Sequence, residues 1–346
     1  MRISVIIPVR NGGKDFRDCL AALSKSARPP DELIVVDDAS TDDSARTACD
    51  FGARVITQGA VPVGPAKSRN CGAGVTRGDI LVFIDADVRV HEDTLAAFEA
   101  YFERQPGISA LFGSYDDNPP HRNAVSLYKN LQHHFVHQHG KRDASTFWAG
   151  AGAIRRDVFE KLGGFNGDYS QPSIEDIELG LRLKNSGCVI WLCPEIQVTH
   201  LKRWSFSSLL KSDILNRAVP WTRLILSSSQ LPSNLNLDLK SRVSALCVWA
   251  ALLGIGLGFR LPAAWLAALP VLAFFIALNF ELYRFFHRRG GSLFVLAGIA
   301  LHALYYCYSS FVFGALWVGH LISRRGRDAR LIPAPVKLVE ESRHDR

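Results

Sequence analysis

The stretch "DILVFIDADVRV", residues 79–90, sends five apolar residues, Ile80–Ile84, straight into two carboxylates, Asp85 and Asp87, separated by one alanine. A short apolar run bounded by polar and turn residues reads as a strand buried in a sheet. Charges placed so close repel each other, and a divalent cation carrying an anionic ligand would relieve them. A polar turn leaving the sheet would explain the same two residues. The flanking chain has to decide.

Upstream, the same pattern recurs three times. "ISVIIPV" (3–9) is a β-branched run that Pro8 and "RNGG" end, "DELIVVDDAS" (31–40) ends in carboxylates, and "ARVITQG" (53–59) is a third short strand. Between them lie helical segments. "KDFRDCLAALSKSA" sets Phe16, Cys19 or Leu20, and Leu23 on one face. "STDDSARTACDFGA" opens with a cap and early acid, and "GPAKSRNCGAGVTRG" opens at Pro65 and closes at Gly78. Strands alternating with helices over about 100 residues predict an α/β domain with a mostly parallel sheet. Ligands of such sheets bind beyond the carboxyl ends of the strands, and three strands here end in polar signals: "PVRN", "VDDAS" and "DADV".

Several side chains then read as candidates. Asp38, at a strand end, can accept a hydrogen bond from an imide N–H of a base, although helix capping explains Asp37 or Asp38 equally. Arg69 offers a planar fork for a phosphate or base, while Lys67 reads as solvated. In "FWAGAGAIRRDVFEKLGGFNGDY" (147–169), small residues such as Gly150 let backbone approach a ligand, and Trp148 offers a flat face to a sugar. Tight packing against a neighbouring strand is the alternative. "PSIEDIELGLRLKNSGC" (172–188) predicts a helix from about Glu175 with Ser173 as its cap and Asp176 in the first turn, where the helix field favours the ionised acid. Glu175 and Glu178 oppose that, and an ionised carboxylate beside a hydroxyl can serve as general base. His200 is either a third metal ligand after Asp85 and Asp87 or a polar strand end. His133 and His137 have helical metal spacing but lack the glutamate of the zinc-protease pattern. Their helix reads as facing the acceptor or the membrane.

Bulk composition, 48% hydrophobic and 21% charged, conceals a split. From Val243 to Phe280 the only charged residue is Arg260, and from Ser292 to Ile322 there is none. About 20 helical residues cross a bilayer core, so membrane segments are expected at about 241–259, 262–281 and 293–320. Residues 1–220 form the soluble domain, with a nucleotide half to about 115 and an acceptor half at 116–220. An interfacial linker at 221–240 and a basic tail at 323–346 complete the layout. Within 197–221, Leu209, Leu210, Ile214 and Trp221 predict an amphipathic helix on the membrane surface, with core packing as its rival. The short first apolar run is no signal peptide, so the first domain is expected in the cytoplasm, on a multi-pass cytoplasmic-membrane protein. Seven cysteines without a CxxC pair argue against disulfides and structural zinc. The net charge of +7 sits largely beside the apolar runs, as in "YRFFHRRGG" and "SRRGRDAR". Anionic membrane lipid is therefore expected as a partner, and nucleic acid is not.

Taken in order, "SVIIPVRN", "VVDDASTDDS", "GPAKSRNCGAG", "GDILVFIDADV", "WAGAGAIRRDVFEKLGGF" and "EDIELGLRL" resemble the family 2 inverting glycosyltransferases over residues 1 to about 220. The resemblance implies a GT-A fold, with Pro8, Val9, Arg10, Asp38, Arg69 and Asp85 around the nucleotide sugar. It implies Mg²⁺ or Mn²⁺ on Asp87, with Asp176 of the "ED" pair as catalytic base. The donor would carry UDP, GDP or dTDP, and the acceptor would be lipid-linked or a glycan. Processive relatives carry QxxRW; here "NRAVPW" (216–221) lacks the Gln and splits the Arg-Trp pair, which implies transfer of single sugars. Two rival readings remain: a sugar nucleotidyltransferase that releases pyrophosphate, and a membrane-anchored binder or scaffold without catalysis.

Overall fold

The computed structural model describes residues 1–227 and 239–324. The expected linker falls largely, and the basic tail almost wholly, outside them. Eight strands form one mixed sheet: β1 (Ile3–Val9), β2 (Glu32–Asp37), β3 (Arg54–Thr57), β4 (Ile80–Ile84), β5 (Val88–Val90), β6 (Ala110–Tyr115), β7 (Ala151–Arg155) and β8 (Ile190–His200). Their order is β3-β2-β1-β4-β7-β6-β8-β5. The first four in that order run parallel, β7 runs antiparallel to both β4 and β6, and β8 parallel to β6.

The strand alternation decides which side chains face which layer. Ile3, Val5, Ile7 and Val9 of β1, with Val82 and Ile84 of β4, join one buried cluster. Ile6, Leu81 and Phe83 point the other way into a second. Helices cover both faces: α1 (Gly13–Leu23), α2 (Ser44–Asp50), α3 (Pro65–Val75), α4 (Thr94–Arg104), α5 (Ala124–Gln138), α6 (Arg156–Lys161) and α7 (Glu175–Asn185). In α1 the buried residues are Phe16, Cys19, Leu20 and Leu23, a 3.6-residue stripe turned to the sheet.

Beyond the sheet, the amphipathic segment expected at 197–221 breaks into three pieces. These are α8 (Phe206–Lys211), a π-helical stretch at Ser212–Ala218, and α9 (Val219–Ser227). Leu209 is buried in the domain while Leu215 faces out, so core packing takes part of that segment. At the start of the π-helical stretch Asp213 is buried between Lys129 Nζ at 2.5 Å and the Tyr308 hydroxyl at 2.6 Å.

Three helices follow: α10 (Leu239–Gly258), α11 (Ala263–Leu278) and α12 (Phe280–Arg324). α10 and the 280–322 part of α12 are long and apolar enough to cross a membrane. α11, at 16 residues, spans only about 24 Å. α12 is not one rod. At Gly291 φ is 77° and ψ is 179°, and a Cβ on Gly298 would meet Phe286 at 2.7 Å. Twelve residues of straight helix would hold those two about 18 Å apart, so the chain doubles back at Gly291. The expected segment at 293–320 lies on the second limb, whereas the one at 262–281 is divided by the break between α11 and α12. α5 joins both halves of the molecule: Leu127, Tyr128 and Leu131 pack with Phe275, Phe285 and Phe286. Arg289 of α12 also pairs with Asp117.

Candidate active site

At the ends of β1 and β2 the chain adopts conformations that cost energy. Asn11 (φ 52°) and Ala39 (φ 59°) are both left-handed without being glycine. Reciprocal bonds hold them: Thr41 N–H donates to Asn11 Oδ1 at 2.7 Å and Asn11 N–H to Ser40 Oγ at 2.9 Å. Pro8, Val9 and Arg10 lie at this edge, with Val9 buried and Arg10 exposed. Asp38 is buried, and its two oxygens accept the backbone N–H groups of Val63 (2.7 Å) and Gly64 (2.9 Å). Its visible work is to fix the loop that leads into α3. Asp37 accepts from Ser40 N–H, so both acids of the pair shape turns.

The centre of the constellation is Arg69, buried on α3. Its Nη1 donates to Glu175 Oε1 and its Nη2 to Asp85 Oδ1, each at 2.7 Å. One guanidinium thus ties the end of β4 to the start of α7, which lies 106 residues beyond Arg69 in the chain. Glu175 also accepts from Ser173 N–H, so this acid is turned inward as a counter-ion. Burial raises the Asp85 carboxyl above its ordinary value, Arg69 lowers it, and Asp87 raises it again.

Asp176, the other half of the pair, has a different setting. Its oxygens accept from Ile177 N–H at 2.8 Å and Ala149 N–H at 3.1 Å. Burial, then repulsion from Glu175, pushes its pKa up to about 7 against the pull of Arg69 and those two N–H groups. Contrary to the expectation from the sequence, Ser173 does not cap this helix; its hydroxyl donates to Asn216 O of the π-helical stretch at 2.9 Å. The register of α7 depends on Gly180, where a Cβ would lie 2.3 Å from Phe147 N. Backbone cannot yield as a side-chain tip can. Gly180→Ala is therefore expected to destabilise the protein by about 1–3 kcal/mol, read as a fall in denaturation midpoint.

Asp87 meets His200 because Val88 of β5 pairs with His200 of β8 and Leu201 N–H donates to Asp87 O at 2.8 Å. His200 Nε2 stands 3.7 Å from Asp87 Oδ2, and Lys202 Nζ stands 3.9 Å away. Burial opposes ionisation of Asp87, but His200 and then Lys202 outweigh it and hold the carboxyl at about 2. Asn130 Oδ1 lies 2.7 Å from His200 Nδ1. An amide oxygen only accepts, so Nδ1 carries a proton, and Nε2 is the nitrogen that faces Asp87. With Nδ1–H fixed by a side-chain amide, Nε2 is the nitrogen that would meet a metal in place of its proton.

Aromatic rings wall the remaining side. Tyr115 stacks on His200 at 4.3 Å and meets Trp148 edge-on at 4.8 Å. His133 and His137 lie 5.0 and 5.6 Å from Trp148. Burial keeps both below the usual imidazole range, His137 at about 4. Gly150 sits under Trp148, where a Cβ would come 2.5 Å from the indole, and its carbonyl accepts from Asp85 N–H at 3.2 Å. The structure therefore brings Arg69, Asp85, Asp87, Glu175, Asp176, Trp148 and His200 into one connected cluster, with Pro8, Arg10 and Asp38 at the neighbouring strand ends. Asn130 and Tyr115 were missed from sequence. Asn130, His133 and His137 share a face of α5, and that spacing was the available signal.

Residues 4–163 match the model described as Glycosyl transferase family 2, and residues 129–203 the one described as N-terminal domain of galactosyltransferase. Residues 4–163 thus carry a family 2 glycosyltransferase domain, and the fold is GT-A. It is 24% identical over 238 residues to the O-antigen chain rhamnosyltransferase RfbN of Salmonella typhimurium, covering 64% of this chain and 74% of that one. It is 38% identical over 109 residues to the 4,4'-diaponeurosporenoate glycosyltransferase of Staphylococcus haemolyticus, a match covering 30% of this chain and 29% of that one. Among solved structures, the mannosyltransferase PcManGT of Pyrobaculum calidifontis, in complex with GDP-Man and Mn²⁺, superposes with a TM-score of 0.55 at 19% identity, over 94% of this chain and 87% of that one. The likeness is one of fold.

Proposed function

We propose that this glycosyltransferase moves a single sugar from a nucleoside diphosphate sugar to a hydroxyl or phosphate of a lipid-linked or glycan acceptor, with inversion, at the cytoplasmic face of a membrane. One observation carries the reading: acids from the end of β4 and the start of α7 converge on a single buried guanidinium, with a raised-pKa carboxyl beside it. A nucleotide-sugar donor is supported by the GDP-Man found in PcManGT. A lipid-linked acceptor is supported by the two long apolar helices.

In this reading Pro8, Val9, Arg10 and Asp38 flank the base, and Arg69 and Asp85 hold the ribose-diphosphate side. Trp148, over Gly150, gives a sugar ring a flat apolar face. Asp176 accepts the proton of the attacking hydroxyl, and its two N–H contacts fix the carboxylate's direction. Displacement at the anomeric carbon then inverts configuration. The test is the anomeric form of the product from a panel of UDP-, GDP- and dTDP-sugars; a retained anomer refutes it.

Asp87 and His200 fit a divalent cation, since an ionised carboxylate and the Nε2 edge of an oriented imidazole face each other. Among the described residues no cluster of three or more His, Cys, Asp or Glu gathers around one point. Two protein ligands suit Mg²⁺ or Mn²⁺, which commonly take the rest from phosphate oxygens and water. Asp85, engaged by Arg69, supports the pair from outside. Bound there, the metal would neutralise charge on the leaving diphosphate, worth several kcal/mol. Asp87→Asn is expected to abolish the extra thermal stabilisation that Mn²⁺ adds to nucleoside diphosphate binding. An undiminished Mn²⁺ effect in that variant would move the metal elsewhere.

A further inference from the structure

Catalytic domain and helical tail do not close completely on each other. Between the end of α5, the loop after it, and α10 and α12 lies a cavity of about 250 Å³. Phe135, Leu192 and Leu282 form its apolar wall, and Lys141 and Lys240 enter it from different elements. No Asp or Glu lines it. Neither lysine is ion-paired among the described residues. Lys141 is exposed at the cavity's rim, whereas the enclosed cations elsewhere are matched, Arg69 by Asp85 and Glu175, and Lys129 by Asp213.

Lys240 is half-buried in the first turn of α10. A cation withdrawn from water without a counter-ion is costly, so the cavity suits an anion. Its position narrows the choice. Asn279 on its wall adjoins the outward-facing Phe280, and Leu246 of α10 is turned out about one and two-thirds helical turns beyond Lys240. A ligand with a phosphate head and apolar chains would place its head between the lysines and its chains along these exposed side chains. Juxtamembrane lysines attract anionic lipid in this way.

We propose that this cavity holds the phosphate headgroup of an anionic phospholipid, at a site separate from donor and acceptor. The proposal rests on the membrane association proposed above. The full chain would be tested on vesicles of phosphatidylcholine alone and of phosphatidylcholine mixed with phosphatidylglycerol, and by native mass spectrometry from detergent. Wild type is expected to bind the mixed vesicles at least about tenfold more tightly and to retain phosphatidylglycerol. Lys141→Gln with Lys240→Gln should lose both properties while keeping its stabilisation by nucleoside diphosphate, which shows that the variant is folded. Equal retention of phosphatidylglycerol by the double variant overturns the site. Equal binding of wild type to both vesicle types also overturns it, leaving membrane association intact, whereas binding to neither removes the membrane reading itself. If inorganic phosphate stabilises the lipid-free protein as well as phosphatidylglycerol does, the occupant is a soluble anion and the lipid assignment fails.

Discussion

Asp176→Asn is expected to lower turnover by about 10²–10⁴-fold while affinity for the nucleoside diphosphate stays near wild type. The amide has nearly the shape of the acid and can still accept from Ala149 N–H, so the loop from Phe147 to Gly150 keeps its place. What disappears is the capacity to take a proton. The same carboxyl sets a pH limit. A base must be unprotonated, and burial with Glu175 alongside has raised this one to about 7. Activity per unit of free enzyme should therefore fall tenfold for each pH unit below that point and level off above it. A profile flat down to pH 5, or a variant with near-normal turnover, removes Asp176 from the role.

Arg69→Met should have the largest effect on stability. Methionine fills most of the volume but leaves Glu175, with 6% of its side chain exposed, and Asp85, with 33%, without their shared counter-ion. Removing one partner of a buried ion pair costs about 3–5 kcal/mol. The lower end applies here because Asp85 keeps some water. The sign of the pH dependence follows from Asp85, whose carboxyl burial already raises. Without Arg69 that shift grows, protonation then favours the folded state, and the deficit relative to wild type should narrow as pH falls through the carboxyl range. Chemical denaturation at two pH values would measure it. A deficit that widens in acid would mean that Arg69 does not neutralise these acids.

The nucleotide half of the sheet was legible because its strands are short apolar runs, β1 and β4 almost wholly buried, separated by helices with clear ends. β4 ends at Ile84, where the apolar run of "DILVFIDADVRV" stops. The acceptor half was less so. β7 is antiparallel between β4 and β6, and its sequence "AGAIR" has too few large side chains to declare a strand. Small residues are needed there because Gly152, with Gly150 before it, packs against the Phe147 and Trp148 rings. Acids could be flagged one by one, but not their division of labour. Glu175 and Asp176 are neighbours in sequence, and only the position of Arg69 tells the counter-ion from the carboxyl left unpaired by it. His200 was visible as a strand end, whereas its orientation by Asn130 depends on a contact across 70 residues.

The two-sided packing of α5 bears on how this enzyme can be handled at the bench. A fragment stopping before Leu239 would take the Tyr308 hydroxyl away from Asp213 and uncover Leu127, Tyr128 and Leu131. The same helix carries Asn130, which steadies His200. Inactivity in such a fragment would thus report a loosened imidazole as readily as a lost anchor, and detergent-solubilised whole chain is the sounder starting material.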